Sequence, residues 1–390
     1  MKRVAAALLS IAAMCGGAQA APSACDVLRS AVAQSPRGPV FLPSFPQEKD
    51  GALHNTAFLY DNAVATLALV GCGDAKDAAR IGAAMLVALD HDRYWHDGRL
   101  RNGYAAGHAD TPVKLAGWWD AKQNRWVEDQ YQVGSDTGNM AWAMLALLSL
   151  KDAKYRSGAI RTAHWVDTQF DTRNPQGFMG GTFGDQPKPT PNRWKSTEHN
   201  TDLAAAFTQL AAATSDKHWR DRADIASAFV ATMWNPKCNC FDAGMAEDSK
   251  ARNTTLALDA QVWPLLALPH GEPHRAAVLK ALRHFMLNNG MAYSAQKDGV
   301  WTEGTLQAAL LMKLLGKADE ANALTAAAEK NRAPDGWYRA ADRKTSTGFD
   351  LQTDLKQHRA YFPIPALAPL AWAALAETGF NPFTGTRALP

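Results

Sequence analysis

The sequence predicts an all-helical (α/α)6 barrel, in which six helical hairpins close into a double ring. Three observations lead there. Helical segments of about four turns recur along the 390 residues and alternate between two kinds, their connections alternate between short and long, and acidic residues gather where one kind of segment begins.

Residues 1–20 come first. Lys2 and Arg3 precede the apolar run 4–14, and small residues lead to Ala18-Gln19-Ala20 before Ala21, the pattern of a cleaved secretory leader. The apolar run is too short to span a bilayer, and no later stretch is long enough. The expectation is a periplasmic or secreted monomer, free of the membrane after export, with 21–390 as one barrel domain. Cys25, Cys72, Cys238 and Cys240 remain after the leader. In an oxidising compartment they permit two disulfides, and Cys25–Cys72 with Cys238–Cys240 needs least rearrangement. Cys238-Asn239-Cys240 lacks the spacer and the second pair of a structural zinc site, so no metal is expected.

Six segments, 56–70, 136–150, 197–211, 254–268, 302–316 and 361–375, are polar in their first turns and then apolar on nearly every face. A helix surrounded by other helices reads this way, so these form the inner ring. The segments 25–34, 77–91, 157–170, 219–234, 273–287 and 318–331 are apolar on one side only and richer in Arg, Lys and Asp, which suits an outer ring facing water. Connections from inner to outer helix are short (71–76, 151–156, 269–272), and those from outer to inner are long (92–135, 171–196, 235–253, 288–301, 332–359). Long connections in compact domains are usually functional. One rim should therefore be decorated, and it is the rim where the inner helices begin.

Composition narrows the ligand. The net charge of +3 includes the leader, and no basic run is interleaved with aromatics, which excludes a nucleic-acid groove. Thirteen tryptophans favour a surface on which flat apolar faces stack while polar edges stay wet. The decorated rim gathers Asp61, Asp136, Glu198, Asp202, Asp259 and Glu303 from inner-helix starts, with Tyr60 and His199. Its loops add Asp110, Trp118, Trp119, Asp120, Trp194, Trp301 and Trp337. A single acid in a first turn caps amides and complements the helix dipole. Acids on five inner helices at one mouth exceed that need, and Asp61 and Asp259 lie deeper in their segments than capping requires.

Six alternating hairpins with acids and tryptophans around one rim resemble the six-hairpin glycosidase superfamily, over almost the whole chain after the leader. The resemblance implies two working carboxyl groups near inner-helix starts and aromatic rings as sugar subsites. Ser196-Thr197-Glu198-His199-Asn200 and Trp301-Thr302-Glu303-Gly304-Thr305 are similar in kind to the loop-to-helix acids of that superfamily. The function expected is a glycoside hydrolase acting on a poly- or oligosaccharide without a cofactor.

Glycosidic hydrolysis needs one protonated carboxyl to donate to the leaving oxygen and one ionised carboxyl to activate water or attack. Glu198 is the expected acid, because the Trp194 ring nearby lowers the local polarity and raises its pKa. Asp136, on the neighbouring inner helix, is the expected base. Tyr60, Asp61, Trp118, Trp119, Trp194, His199, Asp202, Asp259, Trp301 and Glu303 are the substrate-binding candidates. Two rivals stay open: a polysaccharide lyase drawing on Tyr104, Tyr131, His108, His199, Arg101 and Arg193, and a non-catalytic periplasmic sugar-binding protein. The acidic rim would repel the polyanion a lyase needs, and crowded acids cost a mere binder desolvation for nothing.

Overall fold

The computed structural model describes residues 21–268, 273–352 and 354–388; the leader expected at 1–20 lies outside them. Each of the twelve expected segments contains a helix. The outer ones are α1 (Ala24–Gln34), α3 (Ala75–His91), α6 (Ala153–Asp167), α8 (Lys217–Thr232), α10 (Arg275–Ala281) and α12 (Ala318–Glu329). The inner ones are α2 (Leu59–Cys72), α5 (Thr137–Ser149), α7 (Thr197–Thr214), α9 (Asp259–Ala267), α11 (Thr302–Leu314) and α13 (Leu367–Thr378). A single turn, α4 (Gln130–Val133), sits in the longest connection. Each inner helix packs on the next, and α13 packs on α2, so the ring closes as an (α/α)6 barrel. Inner helices are buried nearly all round because neighbours flank them on every side; the outer ones bury one stripe.

The decorated rim is organised by one repeated hydrogen bond. The backbone N–H at each inner-helix start donates to a carbonyl of another connection: Leu59 to Asn102, Thr137 to Gly180, Thr197 to Ala243, Leu258 to Tyr293 and Thr302 to Ala340, at 2.9–3.0 Å. Leu367 donates to Ser44 at 2.9 Å and closes the circuit back to the first connection. These are amides that a helix leaves without partners, so each loop caps the next helix and is placed by it. A second set of contacts repeats one turn later. Asn62, Asn200 and Gln261 each use their side-chain amide to accept from and donate to one backbone unit, that of Leu42, Phe178 and Phe241. The Thr305 hydroxyl likewise accepts from the Met291 N–H at 2.9 Å, while it donates to the Trp301 carbonyl at 2.8 Å.

The far end of the barrel is plugged. Phe383 packs its ring on Trp142 at 4.9 Å and on Trp263 at 5.7 Å, and Asn381 donates to the Leu266 carbonyl. With Trp372 and Tyr60 these rings fill the axis and give the cavity above them an aromatic floor.

Three boundaries differ from expectation. The last inner helix begins at Leu367 and not at residue 361, because Pro363 and Pro365 bias their preceding residues to extended backbone. The segment 254–268 becomes helical only at Asp259, and α2 starts at Leu59, so Asp259 and Asp61 are first-turn residues after all. The long connection 332–359 carries most of a hairpin, Thr345–Leu351 paired with Asp354–Tyr361.

Both expected disulfides form: Cys25–Cys72, which ties α1 to the end of α2, and Cys238–Cys240. Their sequence separations are 47 and 2. Closing the longer loop removes far more unfolded-state freedom, so replacing Cys25 and Cys72 by serine should cost roughly 2–4 kcal/mol in denaturant unfolding, and replacing Cys238 and Cys240 much less.

Candidate active site

A cavity of about 690 Å³ opens among the starts of the inner helices, within the size range of small-molecule sites. Asp61 of α2, Asp136 at the start of α5, Glu198 and Asp202 of α7, Asp259 of α9 and Glu303 of α11 all line it. Tyr60, Trp194, His199 and Trp301 line it too. Trp118 and Trp119 do not, nor do Asp110, Asp120 and Trp337. Trp118 and Trp119 belong instead to a surface hairpin, Trp118–Asp120 paired with Arg125–Val127.

Each carboxyl has its own setting. Tyr60 donates to Glu303 Oε1 at 2.5 Å while its own oxygen accepts from the Trp372 indole at 2.9 Å, and Gln307 donates to the same Oε1 at 3.1 Å. Burial still lifts Glu303 to about 8. Asp259 accepts from the Ala260 amide at 2.6 Å and from the Tyr293 hydroxyl at 3.1 Å, which limits its rise to about 6. Asp61, buried beside Ser44, is raised to about 7. Asp202 is fully buried, and both its oxygens lack a hydrogen bond among the described residues; the Trp142 N–H, which favours its charge, does not close one either.

Glu198 and Asp136 differ most usefully. Burial, then the nearby charges of Asp259, Glu303 and Asp136, raise Glu198 well above the usual carboxylate range. Burial lifts Asp136 only to about 6, because Arg359 and the amides of Asn102 and Asn192 favour its charge. Asp136 is placed by its paired backbone: its N–H donates to Asn102 Oδ1 at 2.7 Å and its strand residue pairs with Gly181. Gly181 has φ +111°, and a Cβ there would lie 2.1 Å from the Ser135 carbonyl, so only glycine permits this approach.

His199 has a defined proton. The Thr137 hydroxyl donates to the Met179 carbonyl at 2.8 Å and therefore accepts from His199 Nδ1 at 3.1 Å, which leaves Nε2 as a lone-pair base. Burial, with Arg359 next, lowers its pKa to about 3, so the ring is neutral. Gly138 makes room for it: a Cβ there would stand 2.6 Å from the ring.

The hairpin at 345–361 supplies what sequence reasoning missed. Arg359 faces the acids, lies 4.9 Å from the Tyr131 ring centre and makes no ion pair among the described residues. Tyr361 stacks on Trp301 at 5.2 Å, and Gln352 reaches across to Asn192 at 2.7 Å. Tyr131, Tyr293 and Phe349 complete the aromatic wall. The only signal for these in the sequence is an aromatic or a cation somewhere in each long connection, which cannot tell one loop residue from another. Of the lyase candidates, Tyr131 and His199 reach the cavity, whereas Arg101 is buried against Asp92, its backbone N–H bonded to the Tyr104 hydroxyl, and His108 is exposed beside Asp110.

No protein-family model and no curated protein matches the sequence. Solved structures do match. A novel alpha-amylase from Clostridium perfringens has a TM-score of 0.65 at 10% identity, over 92% of this chain and 97% of that one. A D-mannose isomerase has 0.61 at 12%, over 91% and 95%. A family 76 glycoside hydrolase from a bovine Bacteroides thetaiotaomicron strain has 0.58 at 11%, over 90% and 76%. The chain shares its (α/α)6-barrel fold with these proteins. At these identities the likeness carries the barrel, and the chemistry must come from the cavity.

Crowded, protonated acids leave a mark on stability. Glu303 and Asp61 keep their protons in the folded chain at a pH where the unfolded chain has lost them, so the folded state binds more protons and stability falls as pH rises from about 4 to about 8. Glu303→Gln keeps the Tyr60 donor satisfied and removes this penalty. Calorimetry should show the variant gaining more in melting temperature near pH 8.5 than near pH 5.

Proposed function

We propose that the cavity hydrolyses glycosidic bonds of a poly- or oligosaccharide, with Glu198 as general acid and Asp136 as general base. The observation that carries this is a pair of carboxyls on neighbouring inner helices, α7 and α5, whose surroundings push their protonation apart. Glu198, among other acids, holds a proton to give to the leaving oxygen; Asp136, under the field of Arg359, stays ionised to activate water. Tyr131, Trp194 and Tyr361 offer flat faces to sugar rings, and the further acids offer acceptors to hydroxyls. Glycosidases, an alpha-amylase and a family 76 glycoside hydrolase among the structural neighbours fit this reading. Two disulfides suit an exported, single-domain protein, and no described helix is long and apolar enough to cross a membrane.

One observation favours a second reading. Burial raises the Asp61 and Glu303 carboxyls to about 7 and 8, which matches them to move a proton on and off carbon near neutral pH, and a D-mannose isomerase is among the similar structures. New reducing ends from a glycan panel support hydrolysis; interconversion of free aldose and ketose without them supports isomerisation.

Glu198→Gln and Asp136→Asn preserve shape while removing ionisation, so each should lower turnover at least about a hundredfold. The double variant should be scarcely worse than the poorer single one, as for groups acting as one unit. Near-wild-type release of reducing ends by either single variant would overturn the assignment and move attention to Asp61, Asp202, Asp259 or Glu303.

A further inference from the structure

The hairpin Trp118–Asp120 with Arg125–Val127 holds three tryptophans that the cavity does not use, and two of them, Trp119 and Trp126, are exposed. Trp119 is directly opposite Trp126 in the pairing, so the two indoles share one face. They are 59% and 56% exposed, among the most exposed large apolar side chains in the described residues. Neither packs on another ring or meets a cation there.

An isolated two-stranded hairpin is marginal in water, yet this one is braced. Asp120 accepts from the amides of Lys122 and Gln123 and from the Gln123 side chain, and Arg125 donates to that same side chain. Asn124 takes the left-handed turn at φ +50°. At the base, Glu128 pairs both oxygens with Arg93, and Asp129 caps α4 by accepting from Tyr131 and Gln132. Trp126 lies close over Gly117: a Cβ there would be 2.5 Å from its Nε1. The indoles are therefore held out to solvent by a rigid support, which lowers the ordering cost of binding a ligand.

The hairpin is joined to the cavity. Five residues beyond Trp126 comes Tyr131, which lines the cavity, so at most about 18 Å of extended chain separates them. Phe58, also in the lining, packs against Tyr131 at 6.1 Å. The aromatic lining at Tyr131 and Phe58 thus lies within about 18 Å of extended chain from Trp126. Asp120 with Lys122 and Arg125, and Glu128 paired with Arg93, leave acids and bases interspersed around the indoles, without the basic stripe that a phosphate backbone needs.

We propose that Trp119 and Trp126 form a glycan-binding platform outside the cavity, stacking on a polysaccharide chain whose other part enters the acid site. This rests on the hydrolase reading for the chain's destination, but the platform binds whether or not the bond is cut. The substrate class it implies is a polymer longer than the cavity holds, not a free monosaccharide.

The test uses the full chain and its Trp119→Ala/Trp126→Ala variant in native gels containing hydroxyethyl cellulose, soluble starch, xylan or chitosan. At least one polymer should retard the wild type, and the variant should run as in the gel without polymer. On a cleaved polymer the variant's KM should rise about threefold to tenfold with kcat unchanged, and its kinetics on a short oligosaccharide from that polymer should match the wild type. Retardation equal in both proteins, or no retardation by any polymer, overturns the platform. So does a concentration-dependent dimer in light scattering that the variant abolishes, which would give the face to a second copy. Retardation without reducing ends from any polymer leaves the platform standing and removes the hydrolase reading.

Discussion

Everything at the rim depends on a circuit of backbone hydrogen bonds in which the first amide of each inner helix is capped by another connection. A helix start must find acceptors for its free N–H groups. Here the acceptors come from another hairpin's loop, so a local requirement becomes a long-range constraint. Leu367 donating to Ser44 joins the last helix to the first connection and turns a row of hairpins into a ring. Asn62, Asn200, Gln261 and Thr305 repeat the constraint one turn deeper. The carboxyls sit between these two sets of contacts, which is why long loops can still present them with definite positions.

That placement has a cost. Six buried carboxyls at the inner-helix starts converge on one cavity, and burial pushes these six towards their neutral forms. Asp202, with no hydrogen bond to either oxygen, would be hard to account for as a stabilising residue. Hydrophobic packing elsewhere offsets this, above all the Trp142, Trp263, Trp372 and Phe383 cluster that closes the barrel below. The same aromatic floor keeps the dielectric low where the acids must differ in protonation.

The barrel and the rim divide the labour. The barrel is shared, at 10–12% identity, with proteins named for hydrolysis and for isomerisation. What distinguishes this chain lies in the connections: the 345–361 hairpin with Arg359 and Tyr361, the α4 turn with Tyr131, and the indole-bearing hairpin before it. Loops carried by a rigid ring can vary in chemistry without disturbing the helices that hold the acids.

The sequence by itself determined the twelve helices, their sorting into two rings and the rim on which the acids would meet, because burial on all sides or on one side leaves a periodic imprint. It also marked the paired cysteines and the ten cavity residues that stand at or just before inner-helix starts. It misjudged the start of α13, where an apolar run read as helix although Pro363 and Pro365 favour extended backbone. Tertiary structure alone decided that Arg359, Tyr361 and Tyr293 face the acids, since a side chain in a long connection has no periodic address. It alone put Trp118 and Trp119 outside the cavity while keeping Trp194 and Trp301 within it: a tryptophan close to a capped helix start is carried by the ring, and one at a hairpin tip goes where its turn points.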